Sequence, residues 1–230
     1  MLYGTTIRGG SSLFGTIFRM NKDGSSYSIL HNFISAAGEG QYPNATVVEG
    51  NDGRLYGTTE GGGNGGFGTV FVINKNGTSY TVLRQFLGGT DGANPDANLH
   101  ASSDGLLYGT TSAGGASGNG TLFKINPNGS DYLVIKQFLG GTTDGANPYY
   151  AGVVEKNNVL YGVTTSGGTF NQGLIYSVNK DGSGYQVLVN FGAGVTDGAA
   201  PKAGLYLSSD GILYGTTAAG LYGTVFRFHP

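Results

Sequence analysis

Four acidic residues recur at spacings of 52, 53 and 53 residues: Glu39, Asp91, Asp144 and Asp197 each precede a glycine, and a proline follows four positions on, at Pro43, Pro95, Pro148 and Pro201. Carboxylates gathered on one surface suit Ca²⁺ and accept hydrogen bonds from sugar hydroxyls. Asp before Gly also caps its own turn, and Pro sets how the chain enters the next strand, so a structural role competes with ligand binding and is the stronger reading. Four equivalent copies make a poor catalyst, because a catalytic site needs groups in different roles. Paired threonines stand at the base of the same surface: Thr58-Thr59, Thr110-Thr111, Thr164-Thr165 and Thr216-Thr217. Thr59, Thr111, Thr165 and Thr217 join the acids as candidate contacts for a polyhydroxylated ligand, although Thr is also a favoured strand residue that pairs well across strands.

Other constellations carry less. Asp52-Gly53, Asp104-Gly105 and Asp210-Gly211, with Asn157-Asn158 as the fourth copy, read as hairpin turns on the opposite surface. His31, His100 and His229 occupy unrelated repeat positions, pair with no serine or metal-ligand spacing, and are expected at the surface. The string from Gly61 to Gly66 precedes no Lys-Ser/Thr and no helix, so it is not a phosphate loop. With no cysteine there is no disulfide, thiolate nucleophile or iron–sulfur cluster. No catalytic residue and no metal ligand set is assigned, and no cofactor is expected, Ca²⁺ on the acid ring being the one candidate. Paired carboxylates for a glycosidase or lyase remain an alternative, with Glu39 and Glu60 as the unlike acids of that surface.

The elements that must position these residues repeat as well. Tyr3, Tyr56, Tyr108, Tyr161 and Tyr214 each sit in an LYG context, at spacings of 53, 52, 53 and 53 residues. One unit, Asp96 to Pro148, reads as four strands: Ala97 to Ala101, Leu107 to Thr111, Gly120 to Ile125 and Tyr132 to Phe138, with turn signals at Ser102 to Gly105 and Asn126 to Gly129. Three short connections and one long one per unit predict an all-β fold. It is a β-propeller of about five four-stranded antiparallel blades, whose second-to-third-strand loop and crossover emerge on one face. Aromatics at fixed positions, Tyr27, Tyr80, Tyr132 and Tyr185 with Phe33, Phe86, Phe138 and Phe191, fit packing between blades.

The strand pattern totals 18, so the terminal blades are incomplete: full blades span about 44–90, 96–142 and 149–195, partial ones 1–38 and 202–230, all in a single domain, 1–230. Incomplete ends favour self-association, and they also allow a partial propeller with no ligand. Gly makes 45 of 230 residues, yet 38% are apolar, enough for a packed core. Charged residues make 11%, with a net charge of −2 and no basic run, which argues against nucleic acid and direct membrane insertion. No stretch of 18 apolar residues and no signal-peptide pattern is present; Met1 runs at once into the repeat, as in a chain that starts in mid-repeat.

Leu107 to Thr111, Gly120 to Phe123 and Asp144 to Pro148 carry a close resemblance to the Gloeo/Verruco tandem repeat of bacterial proteins, over practically the whole chain. Val163, which interrupts LYGTT, and the shortened segment Ala218 to Tyr222 are departures. The resemblance implies a propeller-like module of an exported, often surface-anchored protein, hence an extracellular or cell-surface location, and it brings no catalytic residues. The expected function is a non-enzymatic module for adhesion or ligand binding through the loop-rich face, with a glycan or a surface protein as partner. A lectin-like carbohydrate-binding propeller with Tyr platforms is the sharper version.

Overall fold

A computed structural model describes residues 1–194, 197–219 and 223–230. The segment Ala218 to Tyr222 therefore lies partly outside the described residues. The Asn-x-x-Gly turns close as the sequence predicts: the Gly129 amide donates to the Asn126 carbonyl at 2.8 Å and the Asn126 amide to the Ser130 carbonyl at 3.0 Å, and the same two bonds recur from Asn21, Asn74 and Asn179. Between such turns the chain forms antiparallel sheets. Sheet 1 holds Leu2–Thr6, Thr16–Met20 and Ser28–Asn32; sheet 2 holds Val48–Glu49, Leu55–Thr59, Thr69–Ile73 and Thr81–Gln85. Sheet 3 holds His100–Ala101, Leu107–Thr111, Thr121–Ile125 and Leu133–Gln137; sheet 4 holds Val154–Lys156, Val159–Thr164, Leu174–Asn179 and Gln186–Asn190. Sheet 5 holds Tyr206–Leu207, Leu213–Thr217 and Thr224–Phe228. The fold is all-β and propeller-like, and among the described residues no sheet closes on itself.

In sheets 2 to 5 the first strand is only two or three residues long, two at His100–Ala101 where five were predicted. The cause lies in the neighbouring sheet, since the Thr58 hydroxyl donates to the Ala97 carbonyl at 2.9 Å and takes a group that a ladder would otherwise use. Thr110 does the same to Ala151 at 3.0 Å, and Thr5 to Ala45 at 2.8 Å.

Strand alternation sends Leu107 and Phe123 toward sheet 2, where they join Tyr56, Val70 and Phe86, and sends Tyr108 and Leu122 toward sheet 4, where they join Phe138, Leu160 and Tyr176. The interfaces between sheets 1 and 2, 2 and 3, and 3 and 4 are each built around three rings. Phe86, Phe123 and Tyr132 lie 5.3 to 5.9 Å apart between centroids, and Phe33, Phe71 and Tyr80 repeat the arrangement at 5.5 to 5.9 Å. The LYG glycine answers this packing: Gly109 pairs with Phe123, and a Cβ there would stand 2.5 Å from the Phe123 ring. Among the described residues no helix is long and apolar enough to cross a membrane.

Candidate functional site

The loop-bearing surface is built by zipping two loops together in each repeat. Gly40–Gln41 of one crossover pairs with Gly61–Gly62 of the next second-to-third-strand loop, and Gly145–Ala146 pairs with Ser166–Gly167. Single bridges, Ala93 to Ala113 and Ala199 to Ala219, make the same connection in the other two repeats. The two long loops therefore share one face, as expected. The residue before each crossover proline adopts positive φ: Tyr42 at 60°, Asn94 at 56°, Asn147 at 52° and Ala200 at 50°. Its carbonyl accepts from the amide that follows each LYG strand, Glu60, Ser112, Thr165 and Ala218 in turn, at 3.0 to 3.1 Å.

Three of the four crossover acids are engaged between sheets. Asp144 accepts from Lys136 Nζ at 2.7 Å and from the amides of Leu139 and Gly145, while the Lys136 ammonium sits 4.0 Å from the Tyr185 ring of the next sheet. Asp91 pairs with Arg84, whose guanidinium lies 4.1 Å from the Tyr132 ring, and the Tyr132 hydroxyl donates to the Asp91 carbonyl at 2.6 Å. Glu39 meets His31 Nε2 at 2.8 Å, and His31 stacks on Tyr80 at 3.8 Å. Acid, base and ring thus form a sheet-to-sheet clamp. His31 belongs to it and is not a solvated side chain; His100 likewise reaches Glu155 at 3.3 Å on the opposite surface. Val189 replaces the base in the fourth copy, and Asp197 is exposed with no ion-pair partner among the described residues.

The threonines are placed inside the sheets. Thr59, Thr111 and Thr217 are buried, and their hydroxyls pair with Thr69, Thr121 and Thr224 at 2.8, 2.8 and 2.9 Å. Their hydroxyls are engaged within the sheets. Thr164, not Thr165, is the structural equivalent, since its hydroxyl donates to the Ser166 carbonyl as Thr111 does to Ala113, both at 2.9 Å. The apolar Val163 holds the place of the first threonine and shifts the apparent pair by one residue. Thr165 stands in the row of Glu60 and Ser112, with its hydroxyl on the Pro201 carbonyl at 3.3 Å.

Chemistry unlike the rest gathers where the repeats differ, at the residue after the proline and the residue after the threonine pair. Asp96 is 1% exposed, its Oδ1 accepts from the Tyr150 amide at 3.2 Å, and its Oδ2 has no hydrogen-bond partner. Burial pushes its carboxyl up to about 6; the Tyr150 amide and the nearby Ser112 hydroxyl, which itself donates to the Asn94 carbonyl at 3.0 Å, restrain the shift, and Glu60 adds to it. Asn44 donates to the half-buried Glu60 carboxylate, and Asn94 donates to the Glu60 carbonyl at 3.0 Å. Tyr149 and Tyr150 lie with ring centroids 4.0 Å apart and hydroxyls 2.9 Å apart. Sequence reasoning singled out Glu60 but missed Asp96, Tyr149 and Tyr150. The available signal was variation, at one fixed repeat position, among Asn44, Asp96, Tyr149 and Lys202. Among the described residues no group of three or more His, Cys, Asp or Glu is placed to hold a metal ion.

A family model described as the Gloeobacter/Verrucomicrobia repeat matches residues 1–151. No curated protein matches the chain. Among solved structures, a nidogen/laminin complex aligns with TM-score 0.60 at 12% identity, over 99% of this chain and 73% of the matched one. TolB from Acinetobacter baumannii aligns with TM-score 0.59 at 14% identity, over 94% of this chain and 46% of its own length. Both are propeller-like, and at such identities they speak to fold alone.

Proposed function

We infer that this chain, which belongs to the Gloeobacter/Verrucomicrobia repeat family, acts as a non-enzymatic binding module that takes an extended, hydroxyl-rich ligand, a glycan, on its loop-bearing surface around Asp96. The observation that carries this reading is the Asp96 carboxyl, buried with one oxygen unpartnered beside Glu60. A buried polar atom without a partner costs stability, and such a cost is tolerated where a ligand completes the bonding. Asn44 and Glu60 supply further donors and acceptors, and the Tyr149–Tyr150 pair supplies an aromatic edge on which a sugar ring can rest. The clamp acids Glu39, Asp91 and Asp144 are left to architecture, and the five sheets are read as blades of a propeller. An extracellular or surface location is part of this proposal and is tested by protease treatment of intact cells.

Glycan-array binding followed by calorimetry tests the ligand class. Asp96→Asn combined with Tyr149→Ala should weaken binding at least tenfold, about 1.4 kcal/mol, with the melting transition retained. A parent protein that binds no glycan removes the sugar and leaves only a general protein-binding module. One observation favours a second reading: Asp96, with its carboxyl near 6, adjoins a second carboxylate, which is the pairing of a glycoside hydrolase. Turnover of a glycan by the parent, lost in Glu60→Gln, would establish that reading in place of the first.

A further inference from the structure

We propose that Asp96 and Glu60, where segments of sheets 2, 3 and 4 converge, form a site for one divalent cation of the calcium type, held by oxygen atoms alone. The site is distinct from the ring of crossover acids, three of which are already engaged by bases. Its core is the Asp96 side chain, 1% exposed, with Oδ1 accepting from the Tyr150 amide at 3.2 Å and Oδ2 without a partner. A carboxylate oxygen shut away from water and bonded to nothing is costly, and a positive charge is what relieves it. A second carboxylate beside it adds to the cost, and one hard cation answers both.

Contacts between neighbouring sheets bring the two acids together. Glu60 follows the second strand of sheet 2, its carbonyl accepts from Asn94 Nδ2 at 3.0 Å, and Asp96 stands two residues beyond Asn94. Glu60 is near enough to add to the upward shift that burial imposes on the Asp96 carboxyl. Asn44 donates to Glu60 Oε2, which leaves Oε1 with no hydrogen-bond partner among the described residues. The Tyr149 hydroxyl stands in the field of both acids: its ionisation is opposed first by the bond to Tyr150 and by burial, then by Glu60 and Asp96. It supplies a third, neutral oxygen.

The backbone is modified at this point as well. Ala45 and Ala97, which accept from Thr5 and Thr58, stand two positions after their prolines, but Ala151, which accepts from Thr110, stands three positions after Pro148. The added residue is Tyr150, held at φ of 56°, a conformation that a bulky side chain rarely adopts. Its amide is the one that fixes Asp96 Oδ1, so a strained residue orients the acid. Among the described residues no third carboxylate or imidazole joins the pair, and the chain has no cysteine. Such a donor set suits Ca²⁺, which completes its shell with hydroxyl, carbonyl and water oxygens, and does not suit zinc.

The test is calorimetric titration of the whole chain with CaCl₂, after treatment with a chelator and with no sugar present. One site per chain is expected, with a dissociation constant of about 0.1 to 1 mM, the range of weak sites with few carboxylates. Asp96→Asn should weaken binding at least about tenfold, whereas Asp197→Asn, at an exposed crossover acid, should leave it unchanged. Ca²⁺ should also raise the melting temperature of the parent and not that of Asp96→Asn. Glu60→Gln, measured in the same way, decides the matter if Asp96→Asn gives no cooperative melt. Absence of saturable binding over that range, or equal binding by the parent and Asp96→Asn, overturns the proposal and leaves Oδ2 to a water or a proton. The site shares Asp96 with the glycan reading but does not rest on it: failure of this titration leaves the sugar standing, and a parent that binds no glycan leaves the cation standing.

Discussion

Asp96 shows how a single side chain can oppose the fold that holds it. Its carboxyl is raised from the ordinary carboxylate range to about 6, so the folded state binds a proton more tightly than the unfolded chain does. The resulting penalty is absent below the unfolded value near 4, grows as pH rises, and is complete above 6. We expect Asp96→Asn to raise stability at pH 7.5 by up to about 2 to 3 kcal/mol, a difference that vanishes near pH 4 in paired denaturant titrations. A parent no less stable than Asp96→Asn at pH 7.5 would mean that the carboxylate is already satisfied. Glu155 behaves in the opposite sense. Burial pushes it up, but hydrogen bonds from Lys180, Ser102, Ser103 and His100 outweigh that and bring it to about 2. Its contribution is present above the usual glutamate range and is lost as pH falls toward 2, so Lys180→Met should narrow the difference in stability between pH 7 and pH 3.

Within an element, the LYG strand is held by what its glycine lacks. The rings of Phe71 and Phe123 lie across Gly57 and Gly109, leaving no room for a methyl group. Gly109→Ala should therefore cost about 1 to 3 kcal/mol through displacement of Phe123, although alanine is otherwise at least as acceptable in a strand. Gly120 is constrained differently, by φ of +94° and by the Pro148 ring, which would stand 2.8 Å from an added Cβ. This contact ties the crossover proline to the third strand of the preceding sheet and explains why the two recur together. Alanine at Gly120 should be worse than at Gly109, because backbone strain adds to the clash; urea unfolding of the two variants gives the comparison.

Across the molecule, each sheet's aromatics are buried by its neighbours, so position in the stack decides the worth of a residue. Phe86 and Phe138 are fully buried, whereas Tyr27, the sheet 1 equivalent of Tyr132, is 56% exposed, with no sheet among the described residues packed on that side of it. Phe86→Ala should cost roughly 3 to 5 kcal/mol and Tyr132→Ala a comparable amount. Tyr27→Ala should change stability by only about 0.5 kcal/mol. Equal losses for Tyr27 and Tyr132 in chemical denaturation would show that the front of sheet 1 is covered in solution. Leu2 and Ile29 are exposed on the same sheet and Val225 on sheet 5, which makes these two ends the surfaces where salt and concentration should most affect association.

The period, the turns and the alternation of apolar residues were legible in the chain because each is a local matter. Asn126-x-x-Gly129 closes its own hairpin, and Leu107 and Tyr108 must face opposite ways in any strand. The complement of strands in the five main sheets among the described residues, three in the first and last and four in the others, follows from the same local signals. What the acids and threonines do was not local. Asp91 is claimed by Arg84 and by a tyrosine 41 residues further along the chain, Thr58 by a carbonyl 39 residues away, and Asp96 by an amide 54 residues away. Repetition by itself shows that a residue is needed in every unit; only the packing of one sheet on the next separates the carboxylates already paired from the buried one, Asp96, left short of a partner, because burial and unmet hydrogen bonds belong to the assembled interface.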